Sequence, residues 1–361
     1  MYKLSLEITN SCNLRCKYCY IGEKHHDIIN KEVIAKAIDI AYREALKHND
    51  KTLLVYFIGG EPLMAFDKII ETVEYIEEKN KKNELYLRYS ITTNGTLLNE
   101  EIIDFFIAKN FDIKLSIDGN KFYHDMNRTY QNQDGTYDTI IEKKQLIKKY
   151  ENITNKVICV AHVVTTNNFE YMCENMFHLV ELGFWYIETG FNTYTQWTKK
   201  QIDGLREQIE KTYYRYKKQR IEGENIYFSF IEKYGERIVK PRKCFFSCKA
   251  GLVSIYVTVQ GDIYPCFRSD EDICLGNVLQ DLNIHKIREL ASISDTENKA
   301  CRKCECYDFC HTCDCIMGNY DVNNNFFVPT FLSCSVEKIM YKLIKQEFSD
   351  EDIDAMRKEY N

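Results

Sequence analysis

The sequence predicts an α/β fold, six strand-then-helix repeats followed by a Cys-rich region of little regular pattern. Three observations carry this reading. Over residues 1–190 the hydrophobic period switches repeatedly between two and 3.6, which marks parallel strands joined by helices. Polar motifs fall where strands end, as in folds whose function collects at the C-terminal ends of the strands. Eleven of the 16 Cys lie between Cys244 and Cys334. Six repeats can form an incomplete (β/α) barrel or an open doubly wound sheet.

The elements follow in order. Leu4–Ile8 reads as a strand and Lys31–Leu46 as a helix, with Val33, Ile34, Ala37, Ile38, Ala41 and Ala45 at helical spacing. Leu53–Ile58 is a strand that ends at Gly59-Gly60-Glu61-Pro62, and Asp67–Lys79 is its helix. Leu85–Ile91 is a strand that ends at Thr92-Thr93-Asn94-Gly95, followed by a helix over Glu100–Lys109. Asp112–Ile117 is a strand that ends at Asp118-Gly119, and Tyr137–Tyr150 reads as a helix. Lys156–Val164, Glu170–Leu182 and Phe184–Thr189 read as strand, helix and strand. A long polar helix follows over about Lys199–Arg220. Ile221–Pro241 reads as a connection. Beyond it, only a hairpin (Ser254–Val259, a turn at Gln260-Gly261-Asp262, Ile263–Tyr264) and a helix near Val336–Phe348 show a pattern. A region so poor in apolar periodicity reads as one that folds around metals. The expected domains are 1–225, a linker at 226–243, a Cys-rich domain at 244–345 and a tail at 346–361.

Composition narrows the function. The 361 residues are 45% hydrophobic and 28% charged, which excludes bulk disorder and fibrous repeats. A chain of this length buries roughly three quarters of its unfolded surface and needs no disulfides. The formal charge of -6 argues against a nucleic-acid binder working through a basic face. No apolar run is long enough to span a membrane, and Met1–Ile8 lacks a signal-peptide pattern, so the expected location is the cytoplasm. In a reducing compartment 16 thiols read as metal ligands rather than disulfides.

Cys12-x3-Cys16-x2-Cys19 directly follows the first strand. Three thiolates in eight residues suit three corners of an iron–sulfur cubane and leave the fourth iron open, as a catalytic zinc keeps an open position. A zinc site completed by His25 or His26, or simple buried Cys, are the alternatives. The run Cys12-Asn13-Leu14-Arg15-Cys16-Lys17-Tyr18-Cys19 resembles the signature of the radical S-adenosylmethionine (SAM) superfamily. Gly59-Gly60-Glu61-Pro62, Thr93-Asn94-Gly95, and Ser116-Ile117-Asp118-Gly119 with His124–Arg128 match further motifs of that superfamily in order and spacing. The resemblance implies a partial (β/α)6 barrel with a Cys-rich C-terminal auxiliary-cluster domain. It also implies a [4Fe–4S] cluster on Cys12, Cys16 and Cys19, and S-adenosylmethionine held by Tyr18, Gly59, Gly60, Glu61, Asn94, Ser116, Asp118 and Arg128. Two glycines permit close backbone approach, and an Arg fork suits the cofactor carboxylate. Taken alone, Arg128 reads as a surface ion pair, and Asp118 as a strand-end cap. The implied chemistry is one-electron cleavage of the sulfonium to methionine and a 5′-deoxyadenosyl radical, which takes hydrogen from a substrate carbon. A small redox donor such as flavodoxin or ferredoxin supplies the electron.

The second Cys group is Cys244, Cys248, Gly261-x4-Cys266, Cys301-x2-Cys304-x5-Cys310, Cys313, Cys315 and Cys334. It resembles the SPASM domain, an extension of radical enzymes that act on peptides and proteins, and implies two auxiliary [4Fe–4S] clusters, three in all. One falls to Cys244, Cys248, Cys266 and either Cys313 or Cys315. The other falls to Cys301, Cys304, Cys310 and Cys334. Cys159, Cys173, Cys274 and Cys306 stay unassigned, with a zinc knuckle as the alternative for the 301–315 group. The implied reaction is modification of a ribosomally made, Cys-containing peptide, such as thioether formation. Anaerobic sulfatase maturation to formylglycine is the second reading, and a non-catalytic iron–sulfur electron carrier the third. Sulfatase maturases carry an Asp base after Gly-x4-Cys, where this chain has Phe267, which cannot take a proton. They also carry a Tyr two residues after the last radical-cluster Cys, where this chain has Ile21, with Tyr20 one residue early. Asp262, Asp270 or Glu271 can substitute as base, or an open auxiliary iron can acidify a substrate thiol.

Overall fold

The computed structural model describes all residues except Glu23, Lys24, 241–245, Asp270, Asp281, 294–297, Ala300, His311, Cys313, Asp314 and Asn361. The first half of the chain alternates strand and helix. It runs β1 (Tyr2–Thr9), α1 (Lys31–Ala45), β2 (Thr52–Gly59), α2 (Phe66–Lys79), β3 (Tyr86–Thr93), α3 (Glu100–Ala108) and β4 (Asp112–Ser116). Three helices follow, α4 (Lys121–Asn127), α5 (Tyr137–Glu142) and α6 (Lys144–Thr154). Next come β5 (Cys159–Val164), α7 (Met172–Glu181), β6 (Tyr186–Phe191), α8 (Lys199–Ile221), β7 (Tyr227–Phe228) and α9 (Ser229–Val239). The remainder holds β8 (Ser254–Val257), β9 (Asp262–Tyr264), β10 (Gly276–Asn277), α10 (Ile284–Ile293), α11 (Ile316–Asn323), α12 (Phe331–Glu347) and α13 (Asp350–Tyr360). Side-chain caps start the main helices: Asn30 at α1, Asn99 at α3, Thr198 with Gln201 at α8 and Thr330 at α12.

The chain divides into two compact units. The first holds Met1–Ser116, His124–Ile158 and Lys249–Ala291. Its strand order is β10-β9-β8-β1-β2-β3-β4. The pairs from β8 through β4 are parallel, and β9 runs antiparallel to β8 and β10. Alternation sorts the side chains into two faces. One face is apolar and buried, with Leu4, Leu6 and Ile8, then Leu53, Val55 and Phe57, then Tyr89 and Ile91, then Ile113 and Leu115. Stacked rings of Phe57, Tyr89, Phe106 and Phe111 thicken that core. The other face carries Lys3, Ser5, Glu7, Tyr56, Ser90, Thr92, Lys114 and Ser116. On it the Tyr56 hydroxyl bonds Thr92, and Lys3 Nζ lies 4.4 Å over the Tyr56 ring. A polar face inside a sheet is expensive as packing and suited to ligands.

The second unit holds Ile117–Tyr123, Cys159–Cys248 and Ser292–Asn361. Strands β5, β6 and β7 pair in parallel, beside a helical layer in which α8 packs on α7 and α12. The strand order never returns on itself, so the predicted partial barrel is an α/β array that does not close.

The units do not follow the expected boundaries. The hairpin placed in a separate C-terminal domain instead gives β1 a parallel partner, which covers an otherwise open sheet edge. The expected linker at 226–243 contains β7 and α9, and the expected tail contains α13. The single helix read over Tyr137–Tyr150 is two, parted at Lys143. Among the described residues no helix is long and apolar enough to cross a membrane.

Candidate functional site

The thiol loop leaves β1 at its C-terminal end and is tied down by backbone. Thr9 and Asn10 bond Asp27, and the Ile29 N–H donates to Ile8 at 2.9 Å, closing the loop on itself. The Arg15 N–H donates to Thr129 O at 2.8 Å and the Lys17 N–H to Asn127 O at 3.0 Å, fastening the loop to the chain after α4. Cys12 is buried, and its Sγ accepts the Leu14 N–H at 3.4 Å. Cys16 and Cys19 are half-exposed and share a turn, the Cys19 N–H donating to Cys16 O at 3.2 Å.

Gly59 and Gly60 sit backbone to backbone against the residues before Cys12. The Gly60 N–H donates to Thr9 O and the Glu61 N–H to Ser11 O, both at 2.8 Å. A Cβ on Gly60 would fall 2.0 Å from Ser11 O, and one on Gly59 2.2 Å from Thr9 O; Gly59 also has φ +138°. The glycines therefore seat the turn on the thiol loop.

Glu61 has a structural task. Its buried carboxylate accepts from Thr93 Oγ1 (2.7 Å), Asn94 N–H (2.7 Å) and Leu63 N–H (3.1 Å). Burial pushes its carboxyl up to about 7, against those bonds and the nearby Arg128 charge. Asn94 is spoken for as well. Its amide donates to Asn13 Oδ1 at 2.9 Å, its carbonyl accepts from Thr96, and Asn13 donates to Thr96 Oγ1 at 2.8 Å. This clasp fixes the thiol loop to the end of β3. Asn13, inside the Cys signature, is the link that the sequence reading did not single out.

Arg128 is buried, 6% exposed, so the surface ion pair is set aside. Its guanidinium lies 5.3 Å from the Tyr18 ring centre and acts on Glu61, so α4 delivers a buried cation beside the thiol loop. Ser116 is buried at the end of β4. Asp118, fully buried in the second unit, accepts the Val163 N–H at 3.1 Å, the bond that strand-end capping requires.

The second thiol group is partly assembled. Cys301, Cys304, Cys310 and Cys334, the four thiols expected together, line one small pocket with Cys306, Tyr307 and Glu337. They surround a space, and among the described residues no three His, Cys, Asp or Glu side chains converge on a point as a single tetrahedral ion requires. Cys306 and Cys310 are buried there, and desolvation pushes the Cys306 thiol up to about 12. Cys306 is thus a fifth thiol of the pocket, unassigned by spacing alone. Of the other expected set, Cys244 and Cys313 lie outside the described residues, as does Asp270. Cys248 is exposed, Cys266 and Cys315 are half-buried, and Cys266 N–H donates to Ser269 Oγ at 3.1 Å. Phe267 is exposed and its ring meets Tyr20 at 5.4 Å. Asp262 is engaged by Asn277.

An α/β sheet with a thiol-rich loop after its first strand, a glycine turn seated on that loop and a buried Arg beside it defines a cofactor-dependent enzyme class. The chain belongs to the radical SAM superfamily, whose domain matches residues 6–175. The uncharacterized protein MJ0907 of Methanocaldococcus jannaschii is 31% identical over 295 residues, 81% of this chain and 93% of that protein. A cysteine-type anaerobic sulfatase-maturating enzyme of Clostridium perfringens is 25% identical over 328 residues, 84% of this chain and 85% of that one. Among solved structures, native anSMEcpe with bound AdoMet superposes with TM-score 0.78 at 21% identity, over 99% of this chain and 100% of that one. Streptococcus suis SuiB bound to precursor peptide SuiA gives 0.57 at 17% identity, over 92% and 75%. At those identities the two structures show the shared fold. The donor set fits the superfamily's cofactors: three thiols on one loop, a glycine turn packed backbone to backbone against it, and a buried guanidinium.

Proposed function

We propose that this radical SAM enzyme modifies a ribosomally made, Cys-containing peptide, forming a thioether or similar cross-link. One observation carries the reading: the Cys12 loop, the Gly59–Gly60 turn and the segment around Arg128 are fastened together by backbone hydrogen bonds, which supports their acting as one cofactor site. When bound, a reduced [4Fe–4S] cluster and S-adenosylmethionine supply a 5′-deoxyadenosyl radical that removes hydrogen from a substrate carbon. Cys12, Cys16 and Cys19 would hold the cluster. Gly59 and Gly60 would offer backbone to the cofactor's amino end, and Arg128 and Ser116 would take its carboxylate, while Tyr18 stacks on the guanidinium. Cys301, Cys304, Cys310 and Cys334 would hold one auxiliary cluster, and Cys244, Cys248 and Cys266 with Cys313 or Cys315 another. The second reading, sulfatase maturation, is supported by the near-complete mutual coverage with the Clostridium enzyme. Against it stands Phe267, which has no proton-accepting atom where that family carries Asp.

The test uses reconstituted protein under strict anaerobiosis with dithionite and S-adenosylmethionine. Wild type should release 5′-deoxyadenosine, and release should rise with a Cys-containing peptide. Changing Cys12, Cys16 and Cys19 together to Ala should abolish release and leave the other iron in place. Release that survives the triple change removes the site assignment. An increase only with a peptide bearing a sulfatase motif favours the second reading, and no release from wild type favours an electron carrier.

A further inference from the structure

Glu7 is a nearly buried carboxyl on the polar face of β1 that none of the roles above uses. Its Oε2 accepts the Val259 N–H at 3.1 Å, and the Tyr256 side chain of β8 lies within hydrogen-bonding reach of the carboxyl. The parallel pairing of β1 with β8, Leu6 opposite Val257, brings these groups together. The carboxyl also stands at the cofactor turn, since a Cβ on Gly59 would meet Glu7 Cγ at 3.3 Å. Tyr256 is half-buried and lies near Tyr20, the exposed ring that packs on Phe267. Tyr256 therefore adjoins a buried carboxyl beside the Gly59 turn and has the exposed Tyr20–Phe267 pair in its neighbourhood. Asp27 faces Glu7, and Tyr20 and Tyr264 face Tyr256. Burial pushes both Glu7 and Tyr256 upward, with the Asp27 charge adding to the effect on Glu7. A carboxyl so placed costs stability, which is the signature of a group kept for its chemistry.

We propose that Tyr256 and Glu7 form a proton relay for the substrate, in the role that Phe267 cannot fill. The inference rests on the peptide-modifying reading. A weakly acidic substrate group of the thiol class passes its proton to the Tyr256 oxygen as Tyr256 passes its own to the Glu7 carboxylate. The substrate is left as thiolate, Glu7 as the neutral acid and Tyr256 unchanged. Glu7 is a positioning residue that acts through Tyr256.

Infrared titration of the whole protein reads this directly. Wild type should show a protonated-carboxyl band that titrates above the ordinary Glu value of about 4.3. Glu7→Gln should lose one carboxyl's share of the band, the remainder belonging to Glu61 and Glu151, which burial also raises. Tyr256→Phe should move its midpoint up, because the carboxylate loses a hydrogen bond. Near the midpoint, adding N-acetylcysteinamide should enlarge the band in wild type and leave it unchanged in Tyr256→Phe. A band of undiminished size in Glu7→Gln overturns the relay, as does equal growth with the thiol in wild type and Tyr256→Phe. If Glu7→Gln does not fold, the midpoint in Tyr256→Phe decides: no upward movement overturns the relay. Deoxyadenosine release by wild type separates the failures. Its absence, with the Glu7 share of the band intact, removes the radical reading and the relay with it; its presence, without that share, removes the relay alone.

Discussion

At the scale of single residues, the site is held by contacts that tolerate no added atom. Gly60 illustrates this, because its nearest neighbours are backbone oxygens of Ser11 and Asn10, which cannot swing aside as a side-chain tip can. Gly60→Ala should cost about 2–4 kcal/mol and displace the thiol loop, read as a lower thermal midpoint and lost deoxyadenosine release. Gly22→Ala, with nothing within 4 Å of its added Cβ, should match wild type in both. Equal behaviour of the two variants would remove the seating argument. Arg128→Ala should weaken S-adenosylmethionine binding at least about tenfold by equilibrium dialysis, and Arg128→Lys should not restore it, since an ammonium lacks the guanidinium's bidentate fork. Unchanged affinity takes Arg128 out of the cradle. The resemblance points to Cys12, Gly59, Gly60 and Arg128, and the fold brings these residues to one loop cluster. It does not point to Asn13, because nothing in a lone Asn says that its amide will meet Asn94 and Thr96 from another strand. Glu61 is expected among the cofactor contacts as part of a backbone motif, and its carboxylate has a further task that spacing does not reveal, accepting from Thr93, Asn94 and Leu63.

At the scale of elements, strong periodicity was readable and weak periodicity was not. Strands β1 to β4 and helices α1 to α3 fall within a residue or two of their expected ranges, because each pairs a buried stripe with a clear turn or cap. Helix α4 has the sequence KFYHDMN, with no apolar stripe, and it forms because Asp125 and His124 are held by the chain at Thr136. Helix α11 likewise follows the Cys-rich turns with no helical stripe of its own. It lies between the two parts of the second thiol group, Cys301–Cys310 in tight turns and Cys334 near the start of α12. That pocket makes a prediction about metal rather than stability. Changing Cys301, Cys304, Cys310 and Cys334 together to Ala should lower iron from about twelve to about eight per chain, while Cys306→Ser keeps the full count. Loss of four irons from Cys306→Ser would make the fifth thiol a ligand and displace one of the expected four.

At the scale of the whole molecule, buried carboxyls set how stability responds to pH. Glu61, Glu7 and Glu151 are all raised, by burial foremost. Groups lowered by partners, such as Asp50, Glu71 and Asp352, are exposed enough for solvent to screen them. A raised carboxyl keeps its proton in the folded chain at a pH where the unfolded chain has released it. Its contribution is therefore present below the unfolded value and lost as pH rises through the folded one. For Glu61 that window runs from the unperturbed value of 4.5 to about 7. Across it the folding free energy should fall by up to about 3 kcal/mol, from about 1.4 kcal/mol per pH unit of displacement. Glu61→Gln gives the control. A neutral amide keeps an oxygen for Thr93 and Leu63 but turns an NH2 toward the Asn94 N–H, costing about 1–3 kcal/mol at every pH. The variant should thus start below wild type at pH about 4.5 and approach or cross it by pH about 8 in urea titrations followed by circular dichroism. Parallel stability curves for the two proteins would mean that Glu61 is ionised throughout. The Arg128 charge would then outweigh burial, and the cradle would be held by an ion pair rather than by a neutral acid.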